Sequence, residues 1–171
     1  TEETLPDWCL RAEEGDSEAQ YQVAVYFQRN ALAGSQADVK RYLEMAVEQG
    51  HPQACLLLGR QLLETNPAAA VRHLRNAADC GVVEAMELLG QCYARGAGVQ
   101  ADPAQAENWF CTMAQRGGGE AMLRLALRYR WGQDVPRSLG RSLSWLKRAQ
   151  QAGLADAAER YKAQEQEEPA P

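Results

Sequence analysis

The sequence contains few residues of the types that catalyse reactions or bind metals. Only two histidines are present, His51 and His73, so there is little material for a general base or a metal site. The odd number of cysteines without a CxxC pair is neither a disulfide framework nor a zinc site. We expect no catalytic residue, metal or cofactor, and we interpret all the cysteines as buried small apolar side chains: Cys9, Cys55, Cys80, Cys92 and Cys111.

Other functional signals are missing as well. No apolar run approaches the roughly 20 residues that a membrane-spanning helix needs. The net charge is −5, and no basic stripe carries interleaved aromatic residues, which argues against nucleic-acid binding. The glycine-rich segments 96–98 and 117–119 lack the Lys-Ser/Thr pair that follows a phosphate-binding loop, so we interpret both as turns between helices.

The sequence does contain a repeat, in which a glycine is followed four residues later by an alanine. The glycines are 35, 31, 36 and 36 residues apart (50−15, 81−50, 117−81, 153−117). A period in the mid-thirties is typical of stacked helix pairs. The five pairs are Gly15/Ala19, Gly50/Ala54, Gly81/Ala85, Gly117/Ala121 and Gly153/Ala157.

When the repeats are aligned on these glycines, further equivalent positions (columns) hold similar residues and define two helices in each repeat. Helix A follows the glycine, and five residues after its alanine a small residue allows close helix packing. That column holds Ala24, Gly59, Gly90 and Ala126. Helix B carries an aromatic column eight residues before the next glycine, namely Tyr42, His73, Trp109 and Trp145. The N-caps of helix B are predicted at Ser35, Asn66, Asp102 and Ser138. Each helix B is predicted to end at the glycine of the next glycine/alanine pair, with that glycine in the left-handed conformation.

The third repeat carries the most specific signature. The run 90–99 (GQCYARGAGV), followed by Asp102, Ala106, Trp109, Ala114 and Gly117, resembles the Sel1-like repeat, a relative of tetratricopeptide repeats. The fourth repeat departs from it, because Asp134 stands where the second loop glycine is expected. The resemblance implies an all-α fold, a right-handed superhelical solenoid of antiparallel helix pairs.

We predict a single array over residues 1–162 and a flexible, charged and Gln-rich C-terminal tail over 163–171. The array comprises a partial repeat 4–15, the repeats 16–50, 51–81, 82–117 and 118–153, and a capping helix 154–162. The first residue is Thr1, so we interpret the chain as trimmed or mature, with a missing N-terminal segment that carried an address. The unpaired cysteines favour a reducing compartment, but periplasm and cytoplasm both stay open.

By resemblance to tetratricopeptide superhelices, helix A lines a concave groove. Arginine and aromatic residues, which are enriched at interface hot spots, recur on its exposed positions. Such a groove suits an acidic and hydrophobic peptide or a folded protein loop. In the other interpretation, which stays open, the arginines pair with neighbouring acids and the apolar residues pack between repeats. The candidate partner-binding residues are Tyr21, Arg29, Leu56, Arg60, Glu84, Glu87, Gln91, Arg95, Leu123, Leu127, Arg130 and Trp131.

The resemblance implies a non-enzymatic module that binds a protein partner. A narrower alternative is an immunity protein that neutralises a secreted phospholipase-type toxin, because some family members accompany such toxins of contact-dependent (type VI) secretion systems. Activity against β-lactams has been proposed for cysteine-rich relatives, but no nucleophile and base set supports an enzyme here. Self-association is also expected, since an unfinished repeat at the N-terminus exposes a packing face.

Overall fold

A computed structural model describes residues 4–30 and 36–164 of the chain. These residues form α-helices and turns, and the chain divides into two compact units, Thr1–Val82 and Val83–Pro171. Unit 1 contains α1 (Leu5–Glu13), α2 (Ser17–Arg29), α3 (Gln36–Glu48), α4 (Pro52–Leu62) and α5 (Pro67–Asp79). Unit 2 contains α6 (Val83–Arg95), α7 (Pro103–Trp131), α8 (Leu139–Gln151) and α9 (Ala157–Ala163). The predicted single array over 1–162 stays a prediction.

The helices begin where the sequence places N-caps. The side chains of Asn66, Asp102 and Ser138 accept hydrogen bonds from backbone amides in the first turns of α5, α7 and α8. Each cap satisfies a donor that has no partner within its helix. The fourth predicted cap, Ser35, lies outside the described residues.

The small helix A residues are required for packing, as predicted. A Cβ on Gly59 would lie 2.8 Å from the Leu74 side chain in unit 1. A Cβ on Gly90 would lie 2.5 Å from the Phe110 ring in unit 2. In both repeats, helix B therefore approaches helix A more closely than any side chain at the glycine would permit.

The glycines in the turns between repeats have the predicted positive φ angle, with one exception. Gly15, Gly50, Gly81 and Gly153 have φ angles of 98°, 74°, 91° and 98°. At the junction between repeats three and four the prediction for Gly117 is wrong, because Gly118 takes the positive φ instead (φ 70°, ψ −159°). Gly117 packs tightly, since its Cβ would lie 2.4 Å from that of Ala121. The two halves of α7 on either side of Gly118 are thus helix B of repeat three and helix A of repeat four.

The C-terminal helix also differs slightly from its prediction. Helix α9 begins at Ala157 rather than at 154, and it includes Ala163, which the predicted tail contains. Tyr161 on this helix is buried, and its hydroxyl lies 2.6 Å from Ser142 Oγ on α8. The helix therefore closes the end of unit 2 by a buried polar contact. The rest of the predicted tail, 165–171, lies outside the described residues.

His73 fills a position that holds a tyrosine or a tryptophan in the other repeats. Its Nδ1 is buried and has no hydrogen-bond partner within the described part of the chain. Burial lowers the pKa of the imidazole below its usual 6.5, and the positive charge of Arg72 acts in the same direction. The folded state therefore holds His73 neutral where the unfolded chain would take up a proton.

We expect His73→Phe to reduce the loss of stability at acidic pH. Because the folded pKa lies below 6.5, the contribution of His73 is fully present above that pH and is lost as the pH falls through 6.5 towards the folded value. Melting temperatures of the wild type and His73→Phe, measured between about pH 5 and 8, should diverge on the acidic side. Parallel pH profiles for the two proteins would contradict this expectation.

Candidate functional site

In unit 1 the predicted residues do not form one surface cluster. Leu56 is buried, so its assignment to an exposed binding face is wrong and it belongs to the packing of the unit. Arg60 and Arg29 are exposed, on α4 and α2. Tyr21 is half-buried because its ring stacks on His51, with the ring centroids 4.8 Å apart.

His51 acts as a connector between two repeats in unit 1. Its Nδ1 accepts a hydrogen bond from the Ala54 amide and caps α4. The ring proton is therefore assigned to Nε2, which lies 2.8 Å from Glu18 Oε2 on α2. Hydrogen bonds from Gln22 and from His51 lower the pKa of the Glu18 carboxyl. This histidine is structural in both of its contacts, and the stacked Tyr21 covers it.

Unit 1 also contains an open cleft between α1 and α2, with a volume of about 330 Å³. Trp8 and Leu5 line it from α1, and Val25, Tyr26 and Arg29 line it from α2. Its volume is at the lower end of the range for small-ligand pockets. Of the predicted site residues, the cleft includes Arg29 alone.

In unit 2, five charged side chains form a continuous network, which we call the Arg128 network. Arg128 donates one hydrogen bond to Glu87 at 2.8 Å and another to Asp134 at 3.1 Å. Arg124 donates to the other oxygen of Glu87 at 2.8 Å. Arg95 binds both oxygens of Asp134, at 2.9 and 3.0 Å. The network ties α6 to the second half of α7 and to the loop that follows it.

The centre of the Arg128 network is buried and its two ends are exposed. The side chains of Arg128, Asp134 and Glu87 are 8%, 9% and 15% exposed, whereas those of Arg95 and Arg124 are 59% and 48% exposed. The guanidinium of Arg128 also lies over the Phe110 ring, 4.4 Å from its centroid. Buried charges are stable only when they are paired and hydrogen-bonded, as here. The network therefore fixes two solvent-facing arginines on a rigid base.

Asp134 is the member of this network that motif comparison did not assign a role. It replaces a loop glycine, and it is the only non-glycine residue with a positive φ (60°) in the parts of the chain that are described. Aspartate is among the residues that tolerate this conformation best. The replacement of the expected glycine by aspartate was the sequence feature that could have identified this residue, since glycine has no side chain with which to bridge Arg95 and Arg128.

A second cluster in unit 2 surrounds Arg130. Its guanidinium lies 5.3 Å from the Trp131 ring centroid and 4.4 Å from that of Tyr161, and it donates to the Tyr161 carbonyl at 3.2 Å. Nearby on the same two helices, Arg160 forms an ion pair with Glu120, which lowers the pKa of the Glu120 carboxyl. Sequence reasoning did not assign Tyr161 and Arg160 to a site, because it predicted α9 only as a helix that caps the end of the array. Their arrangement fixes Arg130 and leaves the indole of Trp131 half-buried.

The structure thus divides the predicted residues of unit 2 into three groups. Leu123 is 2% exposed, so its assignment to the binding face is wrong; it packs in the interior of unit 2. Glu87 and Arg95 belong to the Arg128 network, as the pairing interpretation expects. The third group is accessible on the helix A side, with Glu84 exposed and the others half-buried: Glu84, Gln91, Leu127, Arg130 and Trp131.

The prediction that all five cysteines are buried is wrong, because Cys80 is exposed and Cys9 and Cys111 are half-buried, while Cys55 and Cys92 are buried. Across 4–30 and 36–164, no group of three or more His, Cys, Asp or Glu side chains is placed to hold a metal ion. In the same ranges, no helix is both long and apolar enough to cross a membrane.

Comparisons with known proteins agree with this architecture. The profile of the Sel1 repeat matches residues 17–51, 52–82, 83–118 and 119–154. A crystal structure of a Sel1 repeat protein from Oxalobacter formigenes is similar, with 26% identity, a TM-score of 0.76 and coverage of 94% of this chain and 66% of that one. A second, c5321, a protective antigen present in uropathogenic Escherichia coli strains and displaying an SLR fold, shares 25% identity with a TM-score of 0.77.

The match to c5321 covers 95% of this chain and 36% of that protein, so the chain spans less than two thirds of either relative. No curated protein matches the sequence. Sel1 repeat proteins are generally protein–protein interaction modules, and their fold is typically a non-catalytic scaffold. The predicted all-α fold is confirmed, and with four matched repeats the chain belongs to the Sel1 repeat family.

Proposed function

We propose that the chain binds a protein partner through the helix A side of unit 2. We call this the α6–α7 surface. It comprises exposed or half-buried side chains of α6 and of the second half of α7: Glu84, Gln91, Arg95, Arg124, Leu127, Arg130 and Trp131. Two residue types that are enriched at interface hot spots, arginine and tryptophan, stand together on this surface.

The observation that carries this proposal is the rigidity of the exposed arginines. Arg95 is held by two hydrogen bonds through Nε and Nη2, and Arg124 by one through Nη1, while about half of each side chain faces solvent. A free arginine loses conformational entropy when it binds, whereas these two are already ordered. Their remaining N–H groups can therefore donate to a partner at a lower entropic cost.

The charge of the surface indicates the chemistry of the partner. Three guanidiniums and two carboxylates leave the Arg128 network with one net positive charge. Arg130 adds a positive charge and the exposed Glu84 a negative one, so the whole surface keeps one net positive charge. The neighbouring Leu127 and Trp131 offer apolar area. A segment that presents carboxylates beside a hydrophobic side chain would be complementary to both features.

Trp131→Ala is expected to weaken partner binding by roughly 30-fold or more, the effect of removing a hot-spot aromatic residue. The partner would be captured from a lysate of the source organism, identified, purified and titrated by calorimetry. The matched control is Arg116→Glu, an exposed position on the helix B half of α7. Circular dichroism of both variants checks the fold. Equal affinities for Trp131→Ala and the wild type would place the binding site elsewhere.

The narrower role, immunity against a secreted phospholipase-type toxin, is supported by the family resemblance and is compatible with a preformed surface. It requires one dedicated partner that binds tightly and loses its lipase activity in the complex. Weak binding to many unrelated peptides would contradict it and leave the general interaction module. A calorimetric titration of the captured partner, followed by a lipase assay with and without the chain, separates the two roles.

A further inference from the structure

Helix α8 presents an apolar face to solvent. Leu139 and Leu143 lie one helical turn apart and are 55% and 56% exposed. Between them stands Gly140, where an added Cβ would meet nothing within 4 Å. Glycine inside a helix is unfavourable, and no contact among the described residues requires one here. A glycine between two exposed leucines leaves room for a second helix to approach closely.

The equivalent face one repeat earlier is covered. Glu107 stands ten residues before Gly117, as Leu143 stands ten residues before Gly153. Glu107 accepts hydrogen bonds from Tyr129 and Arg141, both of which belong to the following repeat. No comparable contact covers Leu143 in the described ranges. The outward face of α8 is therefore a surface on which a further helix can stack.

The segment that contains α8 is also positively charged. Between Val135 and Ala155 there are four basic residues and no acidic one. Arg141 is engaged with Glu107, and Arg148 lies over the Trp145 ring. Arg137 and Lys147 are exposed and form no ion pair within the described part of the chain. A helix that stacks on α8 would gain from acidic residues beside an apolar one.

Helix α1 of unit 1 has these complementary features. Leu10 is 63% exposed, the highest value among the large hydrophobic residues described as exposed. Asp7 lies three residues before it and Glu14 four residues after it, and both are exposed. Hydrogen bonds from Thr4 lower the pKa of Asp7, which keeps this carboxyl ionised. The outward face of α1 is thus a leucine between two carboxylates.

The local charges of the two helices, and not the net charges of the two units, carry this complementarity. Residues 1–82 contain 12 acidic and 7 basic residues, a net charge of −5, whereas residues 83–171 contain 11 of each and have a net charge of zero. We propose that α8 of one copy of the chain binds α1 of a second copy. Such a contact joins two different surfaces, so it continues head to tail and grows with concentration.

Sedimentation velocity over a concentration series, at low and at high salt, tests this self-association. The wild type should shift from monomer to larger species as concentration rises, and salt should weaken the shift by screening the charges. Leu143→Glu should abolish it, because it places a carboxylate in an apolar contact. The matched control is Tyr26→Glu, an exposed aromatic on neither helix, which should associate like the wild type. Trp131→Ala should also associate normally, which separates this contact from the α6–α7 surface.

Charge reversal tests which faces meet. Glu14→Lys and Lys147→Glu should each weaken association by roughly tenfold or less, as expected for rim charges. The double variant, and an equimolar mixture of the two single variants, should recover it, because each again pairs opposite charges. A wild type that stays monomeric throughout the series would overturn the proposal. So would association that survives Leu143→Glu, or a double variant no better than the single ones.

Discussion

Arg128→Ala is expected to destabilise unit 2 by about 3–5 kcal/mol, the cost of removing one partner from a buried ion pair. The substitution leaves Glu87 and Asp134 with buried charges, since their side chains are only 15% and 9% exposed. It also removes the guanidinium that covers the Phe110 ring. A loss of this size is a large fraction of the stability of an ordinary domain, about 5–15 kcal/mol.

Urea unfolding followed by tryptophan fluorescence measures the loss of unfolding free energy in unit 2. Trp109, Trp131 and Trp145 lie in unit 2, and only Trp8 lies in unit 1. The control is Arg124→Ala, which removes an arginine from the same carboxylate, Glu87, at the exposed end of the network. We expect it to cost less than about 1 kcal/mol, as exposed ion pairs do. Similar costs for the two variants would mean that burial of the Arg128 network contributes nothing.

The Arg128 network also shows where the repeat pattern misleads. By comparison with the loop of repeat three, where Gly98 stands at the equivalent position, Asp134 is a missing glycine, and restoring that glycine would relieve a left-handed backbone. The structure shows that the carboxylate accepts three hydrogen bonds from Arg95 and Arg128. Losing these would leave Arg128 with a buried, half-satisfied charge, which outweighs the relief of one strained residue. This departure from the pattern therefore has a structural role in the fourth repeat.

Much of the local structure follows from the sequence because it depends on neighbours a few residues apart. The caps at Asn66 and Asp102, and the close approaches at Gly59 and Gly90, are fixed by helix geometry and by the period. These features need no knowledge of how successive repeats are rotated relative to one another.

The candidate site was less predictable because its contacts join successive repeats. Arg95 meets Asp134 across 39 residues, and Glu87 meets Arg128 across 41. Which side chains meet at such separations depends on the offset between neighbouring helices, which the period does not encode. The same offset decides that Leu123 is buried while Leu127 is half-buried, although both lie on the helix A side.

Gly118→Ala should destabilise unit 2 by about 1–3 kcal/mol, through the backbone alone. Gly118 joins the two halves of α7 with φ 70° and ψ −159°, a region that only glycine adopts readily. An added Cβ would meet no atom within 4 Å, so crowding does not contribute. Its neighbours differ, because a Cβ on Gly117 or Gly119 would clash with Ala121 or Leu154. Of the three adjacent glycines, Gly118 is thus required by its backbone conformation, and Gly117 and Gly119 by close packing.

Two further substitutions, measured by the same urea unfolding, separate the cost of backbone strain at Gly118 from other effects of adding a side chain. Gly118→Asn should be nearly as damaging as alanine, because asparagine tolerates the left-handed helical region but not this one. Gly140→Ala should instead stabilise the protein by up to about 1 kcal/mol, since it replaces a helical glycine with open space around it. If asparagine at 118 restored wild-type stability, the turn would have an ordinary left-handed geometry. The junction between repeats three and four would then tolerate the same residues as the other inter-repeat turns.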